Sequence, residues 1–91
     1  MGKYIIEYKK EALKDLKKHK KSGNQASIKK INKILAELEE TPYEGEGQPE
    51  ALKYELSGFW SRQINLEDRL IYYVEEDIVT VFIVSAIGHY E

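Results

Sequence analysis

At 91 residues, with 14 Lys and Arg against 16 Asp and Glu for a net charge of −2, the chain has room for one domain with a modest core. It contains no cysteine, which excludes a disulfide framework, a thiolate nucleophile and a cysteine-based zinc site. No apolar run approaches the about 18 residues of a membrane span, and no signal peptide opens the chain, so a cytoplasmic protein with a single domain over residues 1–91 and no membrane contact is expected.

The charge is unevenly placed. Residues 1–40 carry 11 lysines against 6 acids, whereas residues 41–91 carry Lys53, Arg62 and Arg69 against 10 acids. Two readings are open: lysines that decorate solvated helix faces, or a basic helical surface that meets nucleic-acid phosphates. Composition alone does not choose between them.

In chain order, residues 3–8 are β-branched and aromatic and predict a first strand. Ala12, Leu13 and Leu16 follow at helical spacing in a lysine-rich segment, which also holds His19 and stops at Ser22-Gly23. Asn24 can cap a second helix with an apolar stripe of Ile28, Ile31, Leu35 and Leu38, joined by Ile34. Thr41-Pro42 ends that helix, and residues 41–50 (TPYEGEGQPE) hold both prolines and two of the six glycines, marking a long loop. From Leu52 the period becomes two. Leu52 to Leu56, Trp60 to Leu66, Leu70 to Val74 and Ile78 to Ala86 predict four strands, joined by turns at Ser57-Gly58, Glu67-Asp68 and Glu75-Glu76-Asp77. The last strand is apolar at both parities, which suggests a central position. The order β-α-α-β-β-β-β implies an α+β domain, two antiparallel helices packed on a twisted, mostly antiparallel sheet.

This topology brings chemistry to one edge. Arg69 opens the strand that pairs with the last one, and Gly88-His89-Tyr90 lies just beyond that partner's far end. Glu50, ending the loop, and Lys53 reach the same edge if the loop folds over it. A carboxylate, an imidazole, an arginine and a lysine around one rim suit metal-free RNA cleavage. A base removes the 2′-hydroxyl proton, an acid protonates the leaving 5′-oxygen, and cations hold the phosphate charge. An Arg-Glu surface pair beside a solvated tail is the competing structural reading.

The stretch TPYEGEGQPEALKYELSGFWSR (residues 41–62), with Ile64, Asp68-Arg69-Leu70, Tyr72 and the Gly88-His89-Tyr90 ending, resembles the YoeB/Txe family of toxin–antitoxin modules, within the RelE-like endoribonuclease superfamily. The first 40 residues match that family only in layout. The resemblance implies a ribosome-dependent mRNA interferase that cuts mRNA in the ribosomal A site, needs no cofactor or metal, and is silenced by a cognate antitoxin. It also implies Glu50 as general base, Arg69 as phosphate clamp, His89 as general acid and Tyr90 as nucleotide-orienting residue. Lys53 becomes an auxiliary phosphate contact, and Arg62 a further phosphate or rRNA contact. Dimers occur among such relatives, so a homodimer is a possible partner state. Phe59 and Trp60 are expected in the core, Gly45 and Gly47 to shape the loop, and Tyr54 and Tyr72 to face a sheet surface.

The chain departs from the family pattern at Glu46 and Gln48, where lysine is common, at Gln63 in place of a second arginine, and at Asp68 in place of a histidine. Glu91 adds a carboxylate beyond the usual terminal tyrosine. Lost basic charge flattens the salt dependence of RNA binding. Two roles are open to Asp68, pairing with Arg69 to hold it off the phosphate or raising the His89 pKa toward a better-charged acid, and the lysines of the first helix are candidates to supply ribosomal grip. An alternative from another class is a catalytically weak homologue acting as antitoxin partner and operon co-repressor. A gyrase-directed relative would not need Glu50, Arg69, His89 and Tyr90 together.

Overall fold

The computed structural model describes residues 3–88; His89, Tyr90 and Glu91 lie outside the described residues. Strand β1 (Ile5–Tyr8) leads into helices α1 (Lys10–Ser22) and α2 (Gln25–Leu38). Strands β2 (Glu50–Ala51), β3 (Phe59–Gln63), β4 (Arg69–Glu75) and β5 (Thr80–Ser85) follow, with 3-10 turns at Tyr54–Leu56 and Glu76–Ile78. The sheet order is β1-β5-β4-β3-β2, with β1 parallel to β5 and the other neighbours antiparallel.

The helices form as their ends dictate. Gly23 takes the left-handed conformation (φ 75°) that closes α1, and the Asn24 side chain accepts the Ser27 N–H at 3.1 Å to open α2. Glu11 in the first turn and His19, Lys20 and Lys21 in the last complement the α1 dipole. Ile31, Ile34 and Leu38 of α2 bury against Leu70, Tyr72, Val81 and Ile83, so both helices cover one face of the sheet. Ile28 and Leu35 sit at the flank of that stripe. On the opposite face Tyr73 stacks on Phe82 at 5.0 Å and meets Phe59 edge-on at 5.5 Å, while Lys9 lies over Phe82. Shielding on both faces is why β5 reads apolar at both parities.

Several expectations change, and the last strand, expected from Ile78 to Ala86, spans only Thr80–Ser85 because Ile78 ends a 3-10 turn. The predicted strand over 52–56 is absent: β2 is only Glu50–Ala51, Tyr54 has φ 58°, and a 3-10 turn follows. The period-two pattern there has no core beneath it, since Tyr54 is 91% exposed. A two-residue edge strand also offers little template for unwanted pairing. The strand begun at Trp60 stops at Gln63, because the Asn65 side chain accepts the Glu67 and Asp68 amides and folds residues 64–68 into a turn. In α1, Leu13 points outward, 55% exposed, while Asp15 and His19 face inward beside Ala12.

Candidate functional site

Register places the expected residues on defined faces. Glu50 pairs with Ser61, Ser61 with Ile71, and Gln63 with Arg69. Side chains alternate along a strand, so Glu50, Ser61, Gln63, Ile71 and Arg69 share the face away from the helices. Two strand spacings, about 10 Å, separate the backbones of β2 and β4, a gap that extended Glu and Arg side chains can close on one phosphodiester. Glu50 is exposed and Arg69 half-buried. Lys53 is exposed just beyond β2, ahead of the Tyr54–Leu56 turn.

Arg62 has the opposite parity. Its guanidinium is fully buried on the helix side and places all five N–H groups: Nε on the Tyr72 hydroxyl, Nη1 on the Glu37 carboxylate and the Glu46 carbonyl, and Nη2 on the Thr41 and Glu44 carbonyls. The Tyr72 hydroxyl donates in turn to the Pro42 carbonyl at 2.6 Å. The expected RNA contact at Arg62 thus meets a side chain with no exposed surface, whose N–H groups hold the 41–50 loop in shape. Tyr72, expected at a sheet surface, is a core residue of the same network, and burial raises its phenol pKa. Trp60 packs against the core as expected.

The loop then returns to the sheet. Gln63 donates its backbone N–H to the Gly47 carbonyl at 2.6 Å, and a Cβ on Gly47 would lie 2.8 Å from the Gln63 carbonyl oxygen. Gly47 (φ 84°) is therefore required by both conformation and space, and this approach sets down Glu50 three residues later.

Two of the acidic departures turn away from the site. Glu46 sits between Lys30 (3.3 Å) and Lys33 (3.4 Å) of α2, and hydrogen bonds from those ammonium groups hold its carboxyl below the usual range. Asp68 uses one carboxylate oxygen to accept the Gly88 N–H at 2.9 Å and the other to accept the Asn65 side-chain amide at 3.1 Å. Its carboxylate is thus committed to backbone and amide, in place of the Arg69 pairing that is one of its two readings from sequence. Gln63, by contrast, stands directly beside Arg69 on the site face.

The tail is anchored next to Arg69, whose backbone N–H donates to the Gly88 carbonyl at 2.8 Å. His89 and Tyr90, the proposed acid and stacking residue, come next in the chain, outside the described residues. Sequence reasoning missed Asp15 and His19, which grip Ala86 from α1: Ala86 N–H donates to Asp15 Oδ2 at 2.9 Å, and His19 Nε2 meets the Ala86 carbonyl at 2.7 Å. The missed signal was their spacing, since residues 12, 15, 16 and 19 share one helical face. Among the described residues no three His, Asp or Glu side chains converge where a metal could sit.

The β-α-α-β-β-β-β order with β1 parallel to β5 defines an α+β domain of the class formed by solved YoeB/ParE-type toxins. Within that class, residues 8–90 match the YoeB-like toxin of bacterial type II toxin–antitoxin systems, and the chain belongs to this family. It is 52% identical over 54 residues to a toxin YoeB of Escherichia coli, a match covering 59% of this chain and 64% of that relative, just under two-thirds of its length. Among solved structures, the YoeB/ParE toxin from Agrobacterium tumefaciens superposes with a TM-score of 0.84 at 27% identity, covering 94% of this chain and 99% of that one. The YoeB chain of a YoeB–YefM complex from Staphylococcus aureus gives 0.77 at 36% identity, covering 96% and 98%.

Proposed function

We propose that the chain is the toxin of a toxin–antitoxin module and acts as a ribosome-dependent endoribonuclease that cuts mRNA in the A site. Glu50 takes the proton of the attacking 2′-hydroxyl, Arg69 neutralises the scissile phosphate, and His89 protonates the leaving 5′-oxygen. Tyr90 orients the nucleotide, and Lys53 adds a phosphate contact. No metal or cofactor is required, and a cognate antitoxin holds the protein inactive. The observation that carries this reading is the common face of Glu50 and Arg69, with the Arg69 amide bonded to the residue preceding His89. The proposed base and phosphate clamp share one face, and the proposed acid follows Gly88 in the sequence.

The family membership and the antitoxin complex of the S. aureus relative support the toxin role. Two of the acidic departures, Glu46 and Asp68, are committed elsewhere and lend no weight to a disarmed site. Purified protein in a cell-free translation reaction tests the reading, with cut sites mapped by primer extension and a ribosome-free tube in parallel. Cuts confined to A-site codons of translated message are expected. Glu50→Ala and His89→Ala should each slow cleavage by about 10²–10⁴-fold. Intact message in both tubes would overturn the nuclease assignment and leave antitoxin binding as the chain's activity.

A further inference from the structure

We infer that Asp15 and His19 of α1 are positioning residues that fix the strand exit at Ala86, the backbone leading in sequence to His89 and Tyr90. This rests on the proposed role of His89. The need arises in β5, where a bulge breaks the β4–β5 register: Tyr72 pairs with Ile83 but Ile71 pairs with Ser85. One extra residue shifts the parity of the strand beyond it and turns Ala86 into the core. Ala86 is fully buried, past the end of the ladder, and its N–H and C=O must find partners.

Helix α1 supplies both partners from one face. The Asp15 carboxylate accepts the N–H at 2.9 Å; the carbonyl can only accept, so His19 Nε2 carries the proton in the 2.7 Å contact. Asp15 is 4% exposed and His19 7%. Two residues on, Gly88 is held at both backbone groups as well, by the Asp68 carboxylate at 2.9 Å and the Arg69 amide at 2.8 Å. Ala86 and Gly88 are thus both held at their backbone N–H and C=O, immediately ahead of His89 in the sequence.

Burying a carboxylate and an imidazole costs more than burying two leucines, which would serve as well if α1 had only to cover the sheet. What the polar pair adds is directional control of the strand exit. For an acid that must reach one oxygen, a displacement of about 1 Å can cost about 100-fold in rate. The lysine-rich helix thus reaches the site through its buried face.

The test uses the full-length protein and programmed ribosomes. Asp15→Ala and His19→Leu are expected to lower the single-turnover cleavage rate at saturating ribosomes by about 10- to 100-fold, with the half-saturating ribosome concentration unchanged within about twofold. Asp15→Asn and His19→Gln, which keep an acceptor and a donor, should recover most of the rate. Independently of cleavage, NMR of the free protein should show faster amide exchange at Ala86 and Gly88 in the first two variants and near-native exchange in the second two. Rates and exchange unaltered in folded Asp15→Ala and His19→Leu proteins would overturn the inference. Equal losses in all four variants would also overturn it, by reducing the pair to core packing. If the wild-type protein does not cut, the nuclease reading fails separately. The exchange measurement then decides alone whether the pair holds the strand exit.

Discussion

Arg62 meets Glu37 at 2.7 Å beneath the loop that delivers Glu50, with the arginine side chain fully buried and all five of its N–H groups engaged. Removing it would leave Glu37 and three loop carbonyls short of a donor. Breaking a buried pair of this kind costs about 3–5 kcal/mol. Arg62→Ala should therefore lower the melting temperature by about 12 °C or more in a domain of this size. Arg62→Lys should recover little of the loss, because one ammonium cannot replace a planar fork with five donors. Thermal unfolding checks this directly. A variant that folds normally but flattens the salt dependence of ribosome binding would instead return Arg62 to the phosphate contacts.

Gly47 and Gly23 separate two costs. Both have positive φ (84° and 75°), but a Cβ at Gly23 meets nothing within 4 Å, whereas at Gly47 it lies 2.8 Å from the Gln63 carbonyl oxygen. Gly23→Ala should cost about 1–2 kcal/mol of conformational strain. Gly47→Ala should cost that and more, since β3 or the loop must move. Denaturant midpoints compare them, and equal shifts would show that the loop yields freely. Gly47→Ala should also slow cleavage, because the displaced loop leads directly into Glu50 at the start of β2.

Much of this was legible in the sequence. The Gly23-Asn24 punctuation and the Thr41-Pro42 stop defined the helix pair, and the motif of residues 41–62 defined the family. The antiparallel pairing of β4 with β5 was legible too, because a short turn joins two apolar runs, whereas the parallel β1–β5 pairing was not. The RNA contact at Arg62 came from the family resemblance, which does not report parity: Trp60, Arg62 and Ile64 alternate with Phe59, Ser61 and Gln63, and only the second set faces Glu50. Residues 52–56 failed for a different reason. Alternation predicts a strand only where a core lies beneath one face, and no local pattern reports that. Asp15 and His19 were hidden among lysines, and the bulge that creates their task depends on strand pairing that the β5 residues do not reveal.

Glu76 accepts hydrogen bonds from the phenols of Tyr4 and Tyr43, tying the first strand and the 41–50 loop to the β4–β5 turn. The Tyr43 hydrogen bond is the main cause holding the Glu76 carboxyl below its usual value of 4.5; burial, and then the bond to and charge of Glu76, push the Tyr43 phenol well above 10.0. A depressed carboxyl stabilises the fold above its unfolded value and loses that contribution as pH falls through the lowered one. A raised phenol contributes fully below pH about 10 and loses its contribution as pH rises toward the folded value. Tyr43→Phe should therefore lower stability most between about pH 5 and 9 and match wild type more closely at either extreme. Denaturant midpoints against pH test the shape, and a difference constant across the range would place the effect in packing alone.

Ser61 shows the opposite of a satisfied polar group. It is fully buried in the strand opposite Glu50, and its hydroxyl is the one buried side-chain polar atom without a partner among the described residues. Ser27, also buried, receives the Asn65 side-chain amide on its hydroxyl at 2.9 Å. Deleting a hydroxyl that has a partner costs about 1 kcal/mol, whereas deleting one that folding has left unpaired removes only a desolvation penalty. Ser27→Ala should lower the melting temperature by about 4–8 °C, and Ser61→Ala should leave it unchanged or raise it. Matching losses would mean that the Ser61 hydroxyl has a partner in the free protein in solution, and it would then count among the bonds that fix β3 beneath Glu50.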